Sequence, residues 1–398
     1  MAVTMKQVAE RAGVSTPVVS MVLSGAVGTI GVSEAKAQRV REVAVELGYR
    51  ADWKAASLRK GRTRLVGLLS AAHIGTRIHD AELVRGLDEG LSADDCHLTF
   101  ASVLPGKDDM LRDGRFDGCL LDYVVEPRQI EVVRKVSLPC VIINARGRGG
   151  VPCVRLDQRG AAETAVRHLV DRGHRRICFV GIEEAELQVD LFDRECHADR
   201  LAGFTSAVRS AGLCGVEAGG GGGADDGLCI ERLPQLYHAA DRSPRLVAGL
   251  ASVRAMLRGD ASAPTAFVAY DQHMAVLIRE GLSLLGMACP DDYSLVSLQD
   301  SRIFESLAVP ITSLRADYAL LGHRATTRLL AQIEQGSAAA RRAKRGKSKT
   351  VSGAADRPVA DPLLPPPDDE VVPFDFIERA SVGPPRPAGA PKTGQDRQ

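Results

Sequence analysis

The chain has 398 residues, of which 45% are hydrophobic and 25% charged, with a formal net charge of +1. This length and apolar content can fill the cores of two or three domains. No apolar run reaches the ~18 residues of a membrane span and no signal peptide precedes Met5, which predicts a soluble, cytoplasmic protein without membrane partners. Nine cysteines without a CxxC pair favour reduced, buried thiols.

The N-terminal segment predicts two short helices separated by a tight turn. Thr4 and Gln7 form a T-x-x-Q capping box for the first helix, Gly13 ends it and Ser15 caps the second. Pro17 falls in the first turn of the second helix, where a missing N–H costs little. This spacing is typical of a helix-turn-helix.

A third helix is predicted from Glu34 to Leu47, opened by Ser33 and closed by Gly48. Residues 1–64 carry a net charge of +6 and the remainder −5, so the neutral whole contains a basic end. Such a charge distribution favours DNA binding over the alternative, a three-helix protein-interaction module.

Residues 51–63 are predicted to connect the headpiece to the rest of the chain. A helix from Asp52 to Arg59 is shorter than the ~12 residues at which isolated helices become stable in water, so it would need support. Ala55 and Leu58 share one face, from which a leucine can wedge into a DNA minor groove. A plain linker, with Leu58 packed on the next domain, is the alternative.

Beyond residue 64, apolar strand-like runs alternate with segments of helical period. Alternation of this kind predicts parallel α/β sheets. The predicted strands are Leu65 to Leu69, Leu98 to Val103, Cys119 to Val124, Cys140 to Ile143, Ile177 to Val180, Ala266 to Ala269 and Ser294 to Leu298.

Seven landmarks in order resemble the lactose/galactose repressor (LacI/GalR) family of transcription regulators. They are the headpiece, the A-x-x-L of Ala55 and Leu58 followed by RTRLVGLL, D-x-x-G (Asp157, Gly160), HLVDRGHRRI (168–177), RLAGF (200–204), PTAFVAYD (264–271) and PITSL (310–314). The resemblance runs from Val3 to about Gly336 and resumes near Phe376 to Ser381.

The resemblance implies an α/β protein with a three-helix headpiece and a two-lobed effector domain like the type I periplasmic sugar-binding proteins. The implied domains are a headpiece at 1–50, a hinge helix or linker at 51–63 and an effector-binding and dimerisation domain at 64–383. Its N-lobe would comprise 64–171 and 315–336, its C-lobe 172–314 and 371–383, and the chain would cross between lobes three times. The composition of residues 337–370 and 384–398 predicts a disordered insertion and a disordered tail.

The implied ligands are a pseudo-palindromic operator, bound by a homodimer, and a small-molecule effector, expected to be a carbohydrate, held between the lobes. No cofactor, metal or catalytic residue is expected. The DNA-binding candidates are Thr4, Ser15, Thr16, Pro17, Ser20, Met21, Ala55 and Leu58. The effector-binding candidates are Arg77, Asp157, Arg159, Arg200, Tyr270, Asp271, Gln299 and Tyr318, with Asp300 beside Gln299.

Several candidates have a structural alternative or depart from the family pattern. Asp271 and Asp157 can instead cap the helices that follow them. Met21 replaces a usual arginine, which favours apolar contact with thymine methyls. Tyr270 and Gln299 replace a usual asparagine and aspartate, so a known relative's effector cannot be transferred.

Two other function classes share part of the pattern. A cytoplasmic transport-associated binding protein would have the lobes without needing the headpiece, and a doubly wound enzyme would need a nucleophile, metal ligands or a phosphate loop that the sequence lacks. The sequence therefore predicts a DNA-binding regulator, most simply a repressor, controlled by a sugar or sugar derivative.

Overall fold

The computed structural model describes residues 3–23, 32–49, 61–70, 79–102, 109–122, 127–182, 191–213, 229–233, 263–346 and 369–386. The chain divides into two compact units, one formed by 1–64 with 115–117 and the other by 65–114 with 118–398. The hinge candidates Ala55 and Leu58 and the cleft candidate Arg77 lie outside the described residues.

The first unit contains the three predicted headpiece helices. They are α1 (Met5–Ala12), α2 (Thr16–Leu23) and α3 (Glu34–Glu46). Thr4 and Gln7 form the reciprocal capping box, and Gly13 has a φ of 65°, which lets the chain turn sharply into α2. The buried valines Val8, Val19 and Val40 come one from each helix, so the three helices share one small core.

The first lobe of the second unit is an all-parallel sheet in the order β11-β5-β4-β3-β1-β2. Its strands are β1 (Leu65–Ser70), β2 (His97–Ser102), β3 (Gly118–Asp122), β4 (Cys140–Ile143), β5 (Cys153–Leu156) and β11 (Glu370–Val372). The helices in its sequence are α4 (Asp80–Ser92), α5 (Asp109–Arg112), α6 (Pro127–Lys135) and the late α10 (Tyr318–Gly346), which packs on α4.

The second lobe is a six-stranded sheet in the order β12-β10-β9-β8-β6-β7, parallel except for its β10–β12 pair. Its strands are β6 (Ile177–Ile182), β7 (Cys229–Leu233), β8 (Ala266–Ala269), β9 (Ser294–Ser297), β10 (Thr312–Ala316) and β12 (Phe374–Ile377). Its helices are α7 (Gln158–Asp171), α8 (Leu191–Ser210) and α9 (Gln272–Ser283).

The chain passes between the sheets near residues 157, 317 and 373. Two predicted lobe boundaries need correction. The helix 158–171 packs on α8 and the second sheet, so it belongs to the second lobe and not to the first. The segment 371–383, predicted to lie in the C-lobe, begins with β11 of the first sheet, and Pro373 separates it from β12 of the second.

Parts of the two segments predicted to be disordered are ordered. Residues 337–346 continue α10 as helix, consistent with the high helical propensity of alanine, arginine and lysine. At the other end, Arg386 pairs with the buried Asp292 and Pro385 lies close to Gly173. Glu370 already belongs to β11, and residues 347–368 and 387–398 lie outside the described residues.

Candidate functional site

The headpiece exposes one side of α2. Val19 and Val22 are buried, whereas Thr16 and Pro17 are exposed and Ser20 and Met21 are partly exposed. Ser15 is also exposed and directly precedes the helix, so these five candidates share its outward surface. Thr4 differs, because its side chain is committed to the capping box of α1.

Because the strands of each lobe are parallel apart from β12, their carboxyl ends lie along one edge of each sheet. Buried polar residues collect at these ends. In the first lobe Ser70 ends β1, Asp122 ends β3 and Asn144 follows β4, and the Ser70 hydroxyl lies 3.4 Å from an Asp122 carboxylate oxygen. In the second lobe Tyr270 and Asp271 follow β8 and are both buried.

Tyr318 connects the two lobes at this edge. Its ring stacks on that of His79, at the start of α4, with centroids 4.0 Å apart and planes 5° from parallel. Its hydroxyl lies 3.4 Å from Nε2 of Gln299, which follows β9 in the second lobe. The structure therefore brings together two candidates, Gln299 and Tyr318, that are 19 residues apart in sequence.

Arg200 is the most enclosed charged candidate. It is 4% exposed, its Nε donates to Oε1 of Gln158 at 2.8 Å, and its Nη1 donates to the Tyr270 carbonyl at 2.5 Å. The guanidinium carbon also lies 4.4 Å from the Tyr270 ring centroid, within cation–π range. Burial opposes the charge, but Tyr270, Cys196, Tyr318 and Asp271 outweigh it and raise the pKa of Arg200, so it remains a cation.

The two candidate aspartates act as helix caps. An Asp157 carboxylate oxygen accepts from the Gly160 N–H at 2.9 Å, and one of Asp271 accepts from the Met274 N–H at 2.8 Å. The structural alternative noted for both residues is thus present. It does not occupy the whole carboxylate, because each has a second oxygen.

Two other charged candidates, Arg159 and Asp300, form ion pairs and hydrogen bonds away from Arg200 and Tyr318. Arg159 is exposed and pairs with Glu163 one turn along α7, at 3.0 Å. Asp300 accepts hydrogen bonds from Ser313, Arg315 and Arg379. Burial acts to raise the pKa of Asp300, but these donors lower it below its ordinary value, so the carboxylate is held in a network on the second lobe.

Besides Ser70 and Asp122, three more buried polar residues at this edge were not among the sequence candidates. Asn144 is 4% exposed with a φ of 62°, and its Nδ2 has no hydrogen-bond partner within the described ranges. Gln272 at the start of α9 is 8% exposed, and its Oε1 is likewise without a partner there. The third, Gln158, accepts the hydrogen bond from Nε of Arg200. Asn144 could have been found from sequence, because it directly follows the apolar run CVII.

Charged side chains also join the lobes beside this edge. Arg146 and Arg148 follow β4, Arg155 lies in β5, and their partners Glu195 and Asp199 lie one turn apart on α8. Arg146 pairs with Asp199, Arg148 with Glu195, and Arg155 Nη1 lies 3.4 Å from Asp199. We call these five residues the interlobe clasp.

Among the described residues, no helix combines the length and apolar character needed to cross a membrane, and no cluster of metal-ligating side chains occurs. A site here would act through hydrogen bonds, ion pairs and aromatic faces.

Comparisons with known proteins agree with this architecture. A family model for bacterial regulatory proteins of the lacI family matches residues 4–52. A model for the periplasmic binding proteins and sugar binding domain of the LacI family matches 112–218, and one for a periplasmic binding protein-like domain matches 166–351.

Individual relatives are regulators. The HTH-type transcriptional regulator AglR of Rhizobium meliloti (strain 1021) is 28% identical over 349 residues, covering 84% of this chain and 88% of that protein. Among solved structures, a lac repressor dimer bound to operator and the anti-inducer ONPF has a TM-score of 0.67 at 18% identity, covering 96% of this chain and all of that one. A complex of the transcriptional regulator CelR with cellobiose has a TM-score of 0.56 at 22% identity, covering 95% and 99%.

These matches confirm the predicted fold class and the expectation of a regulator rather than an enzyme. The headpiece model and the two lobe models together span most of the chain in the order that the fold requires. The chain belongs to the LacI family of bacterial transcription regulators.

Proposed function

We propose that this protein is a cytoplasmic repressor that binds a pseudo-palindromic operator as a homodimer. A small polyhydroxylated effector would raise or lower its affinity for that operator. The observation that carries the effector proposal is the set of buried polar and aromatic side chains at the facing carboxyl ends of two parallel sheets. Open α/β sheets place ligands at such ends.

The chemistry of this set suits a carbohydrate. Each buried hydroxyl of a sugar needs a partner, and Asn144 and Gln272 each present a buried polar atom without one in the described structure. Tyr318 and Tyr270 offer apolar ring faces for a sugar ring. The CelR structure contains cellobiose, a sugar, in a protein of this fold.

The proposed DNA contacts come from the outward surface of α2. Thr16, Pro17, Ser20 and Met21 would face base edges in the major groove, as the second helix of a helix-turn-helix does. Residues 51–63, including Ala55 and Leu58, would then pair with those of the second protomer in the central minor groove. Closure of the lobes around the effector would alter the spacing of these segments and so the DNA affinity.

A binding titration on the protein's own upstream DNA tests the DNA proposal. Thr16→Ala should weaken binding to that DNA by roughly tenfold, about 1.4 kcal/mol, and leave scrambled DNA binding unchanged, because base contacts specify and phosphate contacts do not. Val45→Ala is the matched control, since Val45 is 82% exposed on α3 and lies outside α2. No preference of the wild type for upstream DNA would favour the alternative, a transport-associated binding protein.

A thermal-shift screen of sugars, nucleosides and phosphosugars tests the effector proposal. A ligand present at 100 times its Kd should stabilise the protein by about 2.7 kcal/mol. Asn144→Leu should reduce this stabilisation, because it removes the buried amide. A hit confined to nucleosides would refute the carbohydrate assignment.

A further inference from the structure

The end of α10 leaves the body of the first lobe. Over residues 318–339, the part of the helix whose side chains are described, Ile333 is the last buried residue; Ser337 is half-buried, and Glu334, Gln335, Gly336, Ala338 and Ala339 are exposed. A Cβ built on Gly336 would meet nothing within 4 Å, so the helix has open space beside this residue. The helix nevertheless continues to Gly346. At 1.5 Å per residue, the thirteen residues beyond Ile333 project about 20 Å.

The direction of this projection follows from the packing of α10. The helix begins at Tyr318, beside the carboxyl ends of the strands. Fourteen residues later the Gln332 side chain accepts from the Cys140 N–H at 3.1 Å, at the amino end of β4. Ile333 likewise lies against Gly118, the first residue of β3. The helix therefore runs opposite to the strands and leaves at the amino end of the sheet.

The chain that comes from the headpiece enters the first lobe at the same end. Leu65 begins β1, and the N–H groups of Thr63 and Arg64 donate to the Asp117 carboxylate at 2.7 and 2.8 Å. Asp117 immediately precedes β3. The headpiece and this end of the first lobe are thus joined directly in sequence, through residues 50–60.

The projecting end of the helix is strongly basic. Between Gly336 and Gly346 it contains Arg341, Arg342, Lys344 and Arg345 and no acidic residue. Positions 341, 344 and 345 are three and four apart, a spacing that places them on one face of a helix. Cations near the C-terminus of a helix also interact favourably with the helix dipole and so stabilise the helix. The experiment must distinguish this structural role from DNA binding.

We propose that the basic end of α10, residues 341–346, binds the phosphate backbone of the DNA that the headpiece holds. The proposal rests on the proposed DNA-binding function and adds to it a sequence-independent anchor built from the effector domain. Lysine and arginine on phosphates strengthen binding to any duplex and make it more sensitive to salt. They carry no base specificity.

The experiment measures the affinity of the full chain for upstream and scrambled duplexes by fluorescence anisotropy between 50 and 200 mM KCl. In the triple variant Arg341→Ala, Lys344→Ala and Arg345→Ala we expect at least a tenfold loss at 50 mM KCl on both duplexes. The slope of log K against log salt should become shallower by up to about 2.7 per protomer, which is 0.9 for each lost phosphate contact. The preference for upstream DNA should remain.

Two further variants separate contact from helix stability and from total charge. One triple variant, Arg167→Ala with Arg209→Ala and Arg302→Ala, removes three exposed arginines of the second lobe. Its DNA affinity should stay within twofold of that of the wild type, with an unchanged salt slope. Arg341→Lys with Arg345→Lys keeps the charge and should retain wild-type binding. Thermal melts and circular dichroism check that each variant is folded.

An unchanged affinity and slope in the α10 variant, or an equal loss in the second-lobe variant, would overturn the proposal. These outcomes are distinct from failure of the proposed function, which would appear as a wild type that does not prefer its upstream DNA. Even then, a shallower slope confined to the α10 variant on both duplexes would support a phosphate contact.

Discussion

Replacing Arg200 by alanine should destabilise the second lobe as well as weaken effector binding. The substitution leaves Oε1 of Gln158 and the carbonyl of Tyr270 without their donor in a buried site. Each unsatisfied buried acceptor costs about 1–3 kcal/mol, and loss of the cation over the Tyr270 ring adds about 0.5–2 kcal/mol. Allowing for partial relaxation, we expect Arg200→Ala to lower the free energy of unfolding by about 3–5 kcal/mol.

Arg159→Ala is the matched control for this prediction. Arg159 is an arginine on the neighbouring helix α7 and also an effector candidate, but it is exposed and its pair with Glu163 is one helical turn away. Exposed pairs of this kind contribute about 0.3–0.5 kcal/mol. Urea denaturation followed by circular dichroism should therefore separate the two variants clearly.

The same variants test the role of Arg200 in regulation. Operator affinity should stay within about tenfold of wild type in Arg200→Ala, because the residue lies outside the headpiece, while the effector response is lost. Equal unfolding free energies for Arg200→Ala and Arg159→Ala would refute the energetic argument. An unchanged effector affinity in Arg200→Ala, measured by calorimetry, would refute its place in the binding site.

Three further predictions concern packing, the clasp and pH. Gly86→Val should cost more than 2 kcal/mol, because a Cβ there would lie 2.0 Å from the Ala319 carbonyl oxygen where α4 crosses α10; a urea titration measures it. Glu195→Gln with Asp199→Asn removes three partly exposed ion pairs between the lobes, at about 0.2–1 kcal/mol each, and should weaken effector binding about 3- to 150-fold in calorimetry at low salt. Burial lowers the pKa of His174, so the unfolded chain binds a proton more readily than the folded one and stability should fall as pH drops below about 6.5, which thermal melts from pH 8 to 5 would follow.

Each of these has its own control. Gly336→Ala, in the exposed part of α10, should stabilise the helix by about 0.5–1 kcal/mol, and a loss there would contradict the steric argument for Gly86. An equal effector affinity of the clasp variant and the wild type at low salt would show that the pairs do not support closure. His174→Gln should flatten the acid slope only in part, because burial also lowers the pKa of His168; an unaltered slope would contradict the assignment.

The central strands could be predicted from sequence to within two residues. Strands buried on both faces are continuous apolar runs, as in LVGLLS of β1 and CVII of β4, and such runs stand out from their surroundings. The apolar-run pattern does not predict β5, β7 and β10. Their sequences CVRL, CIERL and TSLRA are short and each contains an arginine, so no continuous apolar run marks them.

Features that depend on long-range topology could not be predicted from local sequence patterns. Nothing local to α7 indicates that it packs on the second sheet, because the crossing at residue 157 is set by pairings with distant strands. The basic end of α10 was expected to be disordered on account of its charge, although its alanine, arginine and lysine residues favour helix.

Individual residues of the candidate site could be predicted from the sequence, but their contacts with one another could not. The caps of Asp157 and Asp271 could be anticipated, since an aspartate before a helix is a local signal. The partners of Arg200 could not, because they lie 42 and 70 residues away in sequence.

The three crossings between the lobes suggest how closure can occur without loss of structure in either lobe. Asp157 and Asp317 sit at the first two crossings and cap the helices that follow, with the Leu320 N–H donating to Asp317 at 2.7 Å. The first and third crossings are joined, because the Asp157 N–H donates to the Val372 carbonyl at 2.8 Å. Each helix is thus fixed at its first turn, and we expect any bending between the lobes to occur at the residues just before it.

Tyr318 follows the second crossing directly, so any rotation there must change its stacking on His79 or its contact with Gln299. A ligand that contacts this ring would favour one lobe arrangement over the other, and differential contact of this kind is the condition for a ligand to shift a conformational equilibrium. The side chain best placed to report the state of the cleft is therefore next to a crossing and not in the middle of either sheet edge. We accordingly expect substitutions at Tyr318 to alter the coupling between effector and operator more than they alter either affinity alone.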